Sequence, residues 1–225
     1  MDVNVEPYVF LRVVVGSHAF GLATETSDED RRGIYLPTAD WHWSLAKPPE
    51  QVESIIDGID VVDWEIEKFL TQALKGNPTI LETLWSPIVL HSDALGDELR
   101  AMRTAFLSRA IGGTFSGYAK SQFHKMQSSV ARGEGFKAKH AMHLIRLLHS
   151  GIYACQHGDI LVNVGEHRDE LLAIRHGKMT FEDVFRRTEE LTAQFEKSFA
   201  QSHLPDKPDI DRVNQFLIRA RRSRV

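Results

Sequence analysis

The chain has one cysteine, Cys155, in 225 residues. A lone thiol cannot close an internal disulfide, so no oxidised cross-link supports the fold, in keeping with a reducing compartment. Long apolar runs are missing as well. None approaches the ~18–20 residues that would cross a bilayer, and the N-terminus lacks a basic segment followed by an apolar one. The expectation is a cytoplasmic protein with no membrane partner. Neither sign of charge is in large excess: the net charge is −4 and the pI about 6.3, which excludes a global attraction to nucleic acid. There is no internal repeat and no low-complexity tract.

What is present is an average soluble composition, 42% hydrophobic and 26% charged, so a substantial core is available. A chain of this size buries roughly 70% of its unfolded surface, as one large domain or two small ones. Positive charge is concentrated in the terminal "RARRSRV", with Arg219, Arg221, Arg222 and Arg224 in seven residues. That is either a solvated end or a phosphate-contacting patch.

Residues 8–15, "YVFLRVVV", are dense in β-branched and aromatic side chains and stop at Gly16, the pattern of a buried strand. A short helix is expected over 17–23 with Ser17 as its N-cap. A second strand, "RGIYLP", ends at Pro37, and 41–51 reads as loop because of Pro48 and Pro49. Strands continue to about Val62 through an Asp57-Gly58 hairpin turn. A helix is expected from Asp63 to the Gly76-Asn77-Pro78 stop. Beyond it the amphipathic periodicity and cap signals predict helices only, with the last strand before residue 63. The fold class is therefore α+β: a small mixed β-sheet over residues 1–90, then an α-helical bundle over 91–225.

The chemistry-bearing stretch is "GSHAFGLATETSDEDRRGIY", from Gly16. Gly16 to Gly21 matches the spacing of a Walker-type phosphate loop, but Leu22 and Ala23 stand where lysine and a hydroxyl are needed, which excludes it. A strand, Gly16-Ser17 and a helix start remain, with unpaired backbone N–H groups suited to an anion or to a plain turn. Asp28 and Asp30 are one residue apart, so on an extended segment both carboxylates share a face. They repel unless a cation lies between them, and magnesium takes such oxygens together with phosphate. A calcium loop counted from Asp28 fails, because Arg32 and Ala39 occupy ligand positions. Lys139, His143 and Arg146 share one helix face, a basic strip or a solvated surface. Leu144, Leu147 and Leu148 belong to another. His140, His143, His149 and His157 with Cys155 scatter around the helix and do not make a zinc site. Cys155 has no activating base and reads as a buried apolar group. His91, Ser92 and Asp93 are adjacent in sequence and cannot form a triad; a helix cap is the expectation. "RLLH" at 146–149 is too tightly spaced for a helical ribonuclease toxin.

The segment resembles the nucleotidyltransferase superfamily typified by DNA polymerase beta: a Gly-Ser turn, a short helix, an Asp-x-Asp pair and a third acid on a later strand. The blocks "GSHAFGLATETSDEDRRGIY", "IDVVDWEIEKFL", "KGNPTILETLWSPIV" and "KHAMHLIRLL", across roughly residues 10–160, are similar to bacterial and phage nucleotidyltransferases associated with RNA repair. The resemblance implies Asp28, Asp30 and Asp60 as catalytic and metal-binding residues. Asp57 and Asp63 compete for the third place. Asp63 stands where relatives tend to have glycine, and it is suited to capping the next helix. The resemblance further implies nucleotide binding by Gly16, Ser17, Lys139 and Arg146, with two Mg2+ ions, or Mn2+, as cofactor. The implied reaction moves a nucleoside monophosphate from a nucleoside triphosphate to an acceptor hydroxyl on RNA, tRNA or a protein. The competing expectation is a non-catalytic nucleotide or RNA-end sensor, or an antitoxin-like partner-binding protein, on the same fold.

Overall fold

The computed structural model describes residues 4–132 and 137–225. Five strands form one mixed sheet: β1 Val9–Val15, β2 Asp30–Tyr35, β3 Gln51–Ile56, β4 Ile59–Glu65 and β5 Val89–Ser92, in the order β3-β4-β2-β1-β5. Only the β2–β4 pair is parallel. The β3–β4 hairpin turns at Asp57 and Gly58, both at positive φ, as the Asp-Gly pair predicts. The α+β class is as expected, with two shifts. β4 continues through Asp63 to Glu65, because "VVDWE" alternates in register beside β2. β5 is a strand that periodicity alone does not reveal. At four residues it is set by pairing with β1 and spans the expected boundary at residue 90.

Two short helices flank the strands, α1 Gly16–Phe20 and α2 Ala39–Trp43. The second falls where a loop was expected. Thr38 caps it, and Trp41 packs near the rings of Tyr8 and Tyr35, so tertiary contact outweighs the neighbouring prolines. Then come α3 Ile66–Leu74, α4 Pro78–Trp85 and α5 Ala94–Ala101, the last capped by Asp93 as expected. The remaining helices are α6 Ala110–Ala131, α7 Ala138–His157, α8 Arg168–Arg175, α9 Phe181–Ala200 and α10 Ile210–Arg222. Gly135 and Phe136, expected at the start of the helix that becomes α7, lie outside the described residues.

One apolar core runs from the sheet into the bundle, joining Phe10, Ile34 and Trp64 to Phe69, Phe115, Leu144 and Phe216. Burying each such side chain contributes roughly 1.5–3 kcal/mol relative to exposure. The C-terminal α10 is part of this core through Val213, Phe216 and Ala220. Two of its arginines are engaged: Arg219 pairs with Glu98, and Arg221 with Glu65 and Glu67.

Asp63 does not cap α3. Glu65 does, accepting from the backbone N–H groups of Glu67 and Lys68. Asp63 is buried and receives two 2.8 Å hydrogen bonds from Arg12 Nη2. Arg12 and Asp63 are not on adjacent strands. Gly33 lies between them, in register with both, and a Cβ there would sit 1.9 Å from Asp63 Oδ1. The missing side chain makes room for an ion pair that crosses a strand. Burial pushes the Asp63 carboxyl up, and Arg12 acts against that shift. Replacing Asp63 with Ala leaves a nearly buried guanidinium with only the exposed Glu6 as partner. We expect a loss of about 3 kcal/mol, read as a lower urea midpoint with an unchanged slope.

Candidate active site

β1 delivers Val15 to the sheet end, and Gly16 then turns the chain at φ +66° into α1. Val15 occupies the N-cap position and no side chain caps the helix. Ser17 is therefore the second residue of α1 rather than its cap. Gly21, at φ +73°, closes the helix, and the chain loops back to Asp30.

Asp30 pairs with Val15 on one side and with Asp60 on the other. Register partners on adjacent strands project from the same face about one strand spacing apart, ~4.8 Å. The two carboxylates thus stand side by side. Arg32, two residues along β2 on that face, puts Nη2 3.8 Å from Asp30 Oδ1 and 3.6 Å from Asp60 Oδ2. A Cβ on Gly16 would lie 2.6 Å from Asp30 Oδ2, so the glycine lets the carboxylate rest against the turn. Of the competitors for the third acid, Asp57 is in the exposed hairpin turn. Asp63, an odd number of residues from Asp60, faces the other side of the sheet and is held by Arg12.

Asp28 is exposed in the loop before β2. That loop is fastened from two directions. Ser27 Oγ accepts from Thr24 N–H, and the Ser27 carbonyl lies 3.2 Å from His18 Nε2. From α8, Arg168 donates to the Gly21 carbonyl and Arg175 to the Leu22 carbonyl. Asp30 and Asp60 are brought together, whereas Asp28 is not drawn into one tight set with them. Among the described residues, the group of three such ligand atoms lying within 4.8 Å of one another is His149, His167 and Glu170.

A cleft of about 280 Å³ opens beside Gly16, Asp30 and Arg32, and helices wall its far side. α4 gives Thr79 and Glu82, α6 gives Tyr118 and Gln122, and α7 gives His143 and Arg146. Arg146 is buried, donates to Glu82 Oε1 at 2.6 Å and lies 3.8 Å over the Phe20 ring. His143 is pushed down to about 4, first by burial and then by the Arg146 and Lys139 charges, so it is neutral near pH 7. Lys139 is exposed and outside the cleft lining, while Leu147 joins the lining despite its assignment to the other face. Sequence reasoning missed Arg32, Glu82, Tyr118, Gln122 and Arg175. Only Arg32 had a readable signal, two residues from Asp30 on a strand. A larger cavity of about 550 Å³, between α6, α7 and α9, is mostly apolar and holds none of the three acids.

Cys155 is buried and its thiol is pushed up to about 11 by desolvation, as expected of an inert packing residue. The His149–His167–Glu170 group has its own balance. His149 Nε2 is 2.9 Å from Glu170 Oε2, Arg187 donates to Oε1 at 2.6 Å, and the two imidazoles stack 3.7 Å apart. Nearly parallel stacked rings keep their in-plane lone pairs in separate planes, which does not suit a shared ion. Burial pushes Glu170 up, but the hydrogen bonds from His149 and Arg187 outweigh it and leave the carboxyl at about 2. A depressed carboxyl stabilises above its unfolded value, near 4.5, and that contribution disappears as pH falls towards 2. Glu170→Gln should therefore flatten the pH dependence of urea stability in that window, removing on the order of 3 kcal/mol of it.

A strand, a glycine turn, a short helix and acids paired across adjacent strands are the features by which the segment resembles the polymerase beta superfamily. The chain belongs to the RNA repair pathway DNA polymerase beta family, whose model matches residues 3–219. Two proteins of uncharacterised function are similar to it. The Bacillus subtilis protein YcgL is 37% identical over 91 residues, which span 40% of this chain and 35% of that protein. The Methanocaldococcus jannaschii protein MJ0002 is 22% identical over 227 residues, spanning 92% of this chain and 91% of that protein.

Proposed function

We propose that the protein is a magnesium-dependent nucleotidyltransferase that moves a nucleoside monophosphate from a nucleoside triphosphate to the hydroxyl of an RNA end, releasing pyrophosphate. The observation that carries this reading is the register pairing of Asp30 with Asp60 beside Gly16. The residues fit the metal: hard carboxylate oxygens stand on one face, and a cationic group, Arg32, already lies between them. Asp28, Asp30 and Asp60 would hold the ions, with Asp28 contributed by its tethered loop. When bound, magnesium lowers the pKa of the acceptor hydroxyl and offsets charge on the entering and leaving oxygens.

The chain's own groups do the rest. Asp60, the more open of the pair, takes the acceptor proton. The backbone N–H groups of Gly16 and Ser17 and the Ser17 hydroxyl face the β- and γ-phosphates. Arg146, aimed by Glu82 and Phe20, offsets charge on the departing pyrophosphate from the opposite wall. In this division, residues 1–90 supply the acids and, through α4, part of the opposite wall, and 91–225 supply the rest of that wall over nucleotide and acceptor.

Incubation with magnesium and each of the four α-labelled triphosphates, with RNA and with protein acceptors, tests this. Asp30→Ala should abolish both pyrophosphate release and label transfer. Ser17→Ala should raise the nucleotide KM only roughly two- to tenfold, the worth of one neutral hydrogen bond. Equal pyrophosphate release by the wild type and Asp30→Ala would sink the proposal. Nucleotide binding without release would favour the sensor.

A further inference from the structure

Resting on the reading that the acceptor is an RNA end, we infer that its phosphodiester backbone runs along the outer ends of α6 and α7, over Lys125, Lys137 and Lys139. The two helices pack together, and each turns one face to the cleft. On α6, Tyr118 and Gln122 line the cleft, and Lys125 follows at the i+7 and i+3 positions of the same face. On α7, His143 and Arg146 line it, and Lys139 precedes them by four and seven residues. Gln122 Oε1 and His140 Nδ1 are 3.1 Å apart, joining the two faces at the point where the cleft lining ends and the lysines begin. His140 registers the result: its pKa is lowered, first by burial and then by the charges of Lys125, Lys137 and Lys139.

All three lysines are exposed, and among the described residues no ion pair joins any of them to an acid. Lys137 precedes the first turn of α7 and Lys139 lies within it, and that turn carries no acidic residue, although the helix dipole there favours negative charge. Several other basic groups are placed differently. Arg219 and Arg221 are neutralised by Glu98, Glu65 and Glu67, and Lys120 lines the apolar cavity beside Glu189 and Glu196. Seven helical residues separate Lys139 from Arg146, a rise of ~10 Å. That reach calls for a polyanion longer than a triphosphate seated at Gly16, and a strand entering the cleft supplies one. With a net charge of −4, such a cluster is a local feature and not a property of the whole surface.

The test is fluorescence anisotropy with a short labelled single-stranded RNA over a range of KCl, in EDTA and without nucleotide. The variant Lys125→Gln/Lys137→Gln/Lys139→Gln should bind roughly ten- to a hundredfold more weakly near 0.1 M salt. Its log–log salt slope should flatten by about 2, at roughly 0.7 for each phosphate no longer neutralised. Lys125→Gln alone should flatten the slope by about a third as much, which guards against a folding defect at the start of α7. Arg222→Gln/Arg224→Gln should bind as the wild type does. No RNA binding by the wild type, or an unchanged slope in the triple variant, would overturn the inference. Displacement by polyglutamate at matching charge concentration would also overturn it, in favour of an acidic protein partner. The assay contains neither metal nor triphosphate, so lysine-dependent RNA binding by a protein that releases no pyrophosphate would refute the transfer reading while leaving this surface in place.

Discussion

Two like charges held next to each other are what the candidate site is built around. Asp30 and Asp60 meet because β2 and β4 run parallel in a register that sets them opposite one another. That register is secured from the far side by the β3–β4 hairpin, whose tight Asp57-Gly58 turn leaves no slack. A one-residue slip would send Asp60 to the opposite face and bring a buried valine into its place. Side-by-side carboxylates repel, so the arrangement carries a standing electrostatic cost that Arg32 partly offsets and a divalent ion would remove.

The sheet alone offers an open row of acids; the helices make a cleft of it. The core is continuous from β1 and β4 into α6 and α7, which holds the helical wall at a set distance from Gly16 and Asp30. α8 reaches across in the other sense and grips the loop that carries Asp28 by its carbonyls. α10 packs beside α3 and adds its ion pairs to the first residues of that helix. Of the C-terminal arginines, which composition alone leaves as a solvated end or a phosphate-contacting patch, Arg219 and Arg221 hold the chain end in place through these pairs and Glu98.

Much of this was legible in the residues. β1, the Asp57-Gly58 turn, the Asp93 cap and most helices follow from local pattern, since each depends on neighbours within a few positions. The Gly16, Asp30, Asp60 grouping was legible through resemblance, and the alternation along β4 separates Asp60 from Asp63 once the strand is known to continue. What was not legible depends on partners far along the chain. β5 exists because β1 offers it an edge, α2 because Tyr8 and Tyr35 offer Trp41 a surface, and the far wall of the cleft because three separate helices converge. No window of local sequence contains those facts.

The Arg12–Gly33–Asp63 crossing couples three strands through three side-chain choices. A side chain at position 33 would collide with the aspartate at 63, and without the arginine at 12 burial would drive that aspartate toward its neutral, protonated form. The three positions therefore tolerate change only as a set, and the middle strand of the sheet constrains both its neighbours in the one place where it carries no side chain.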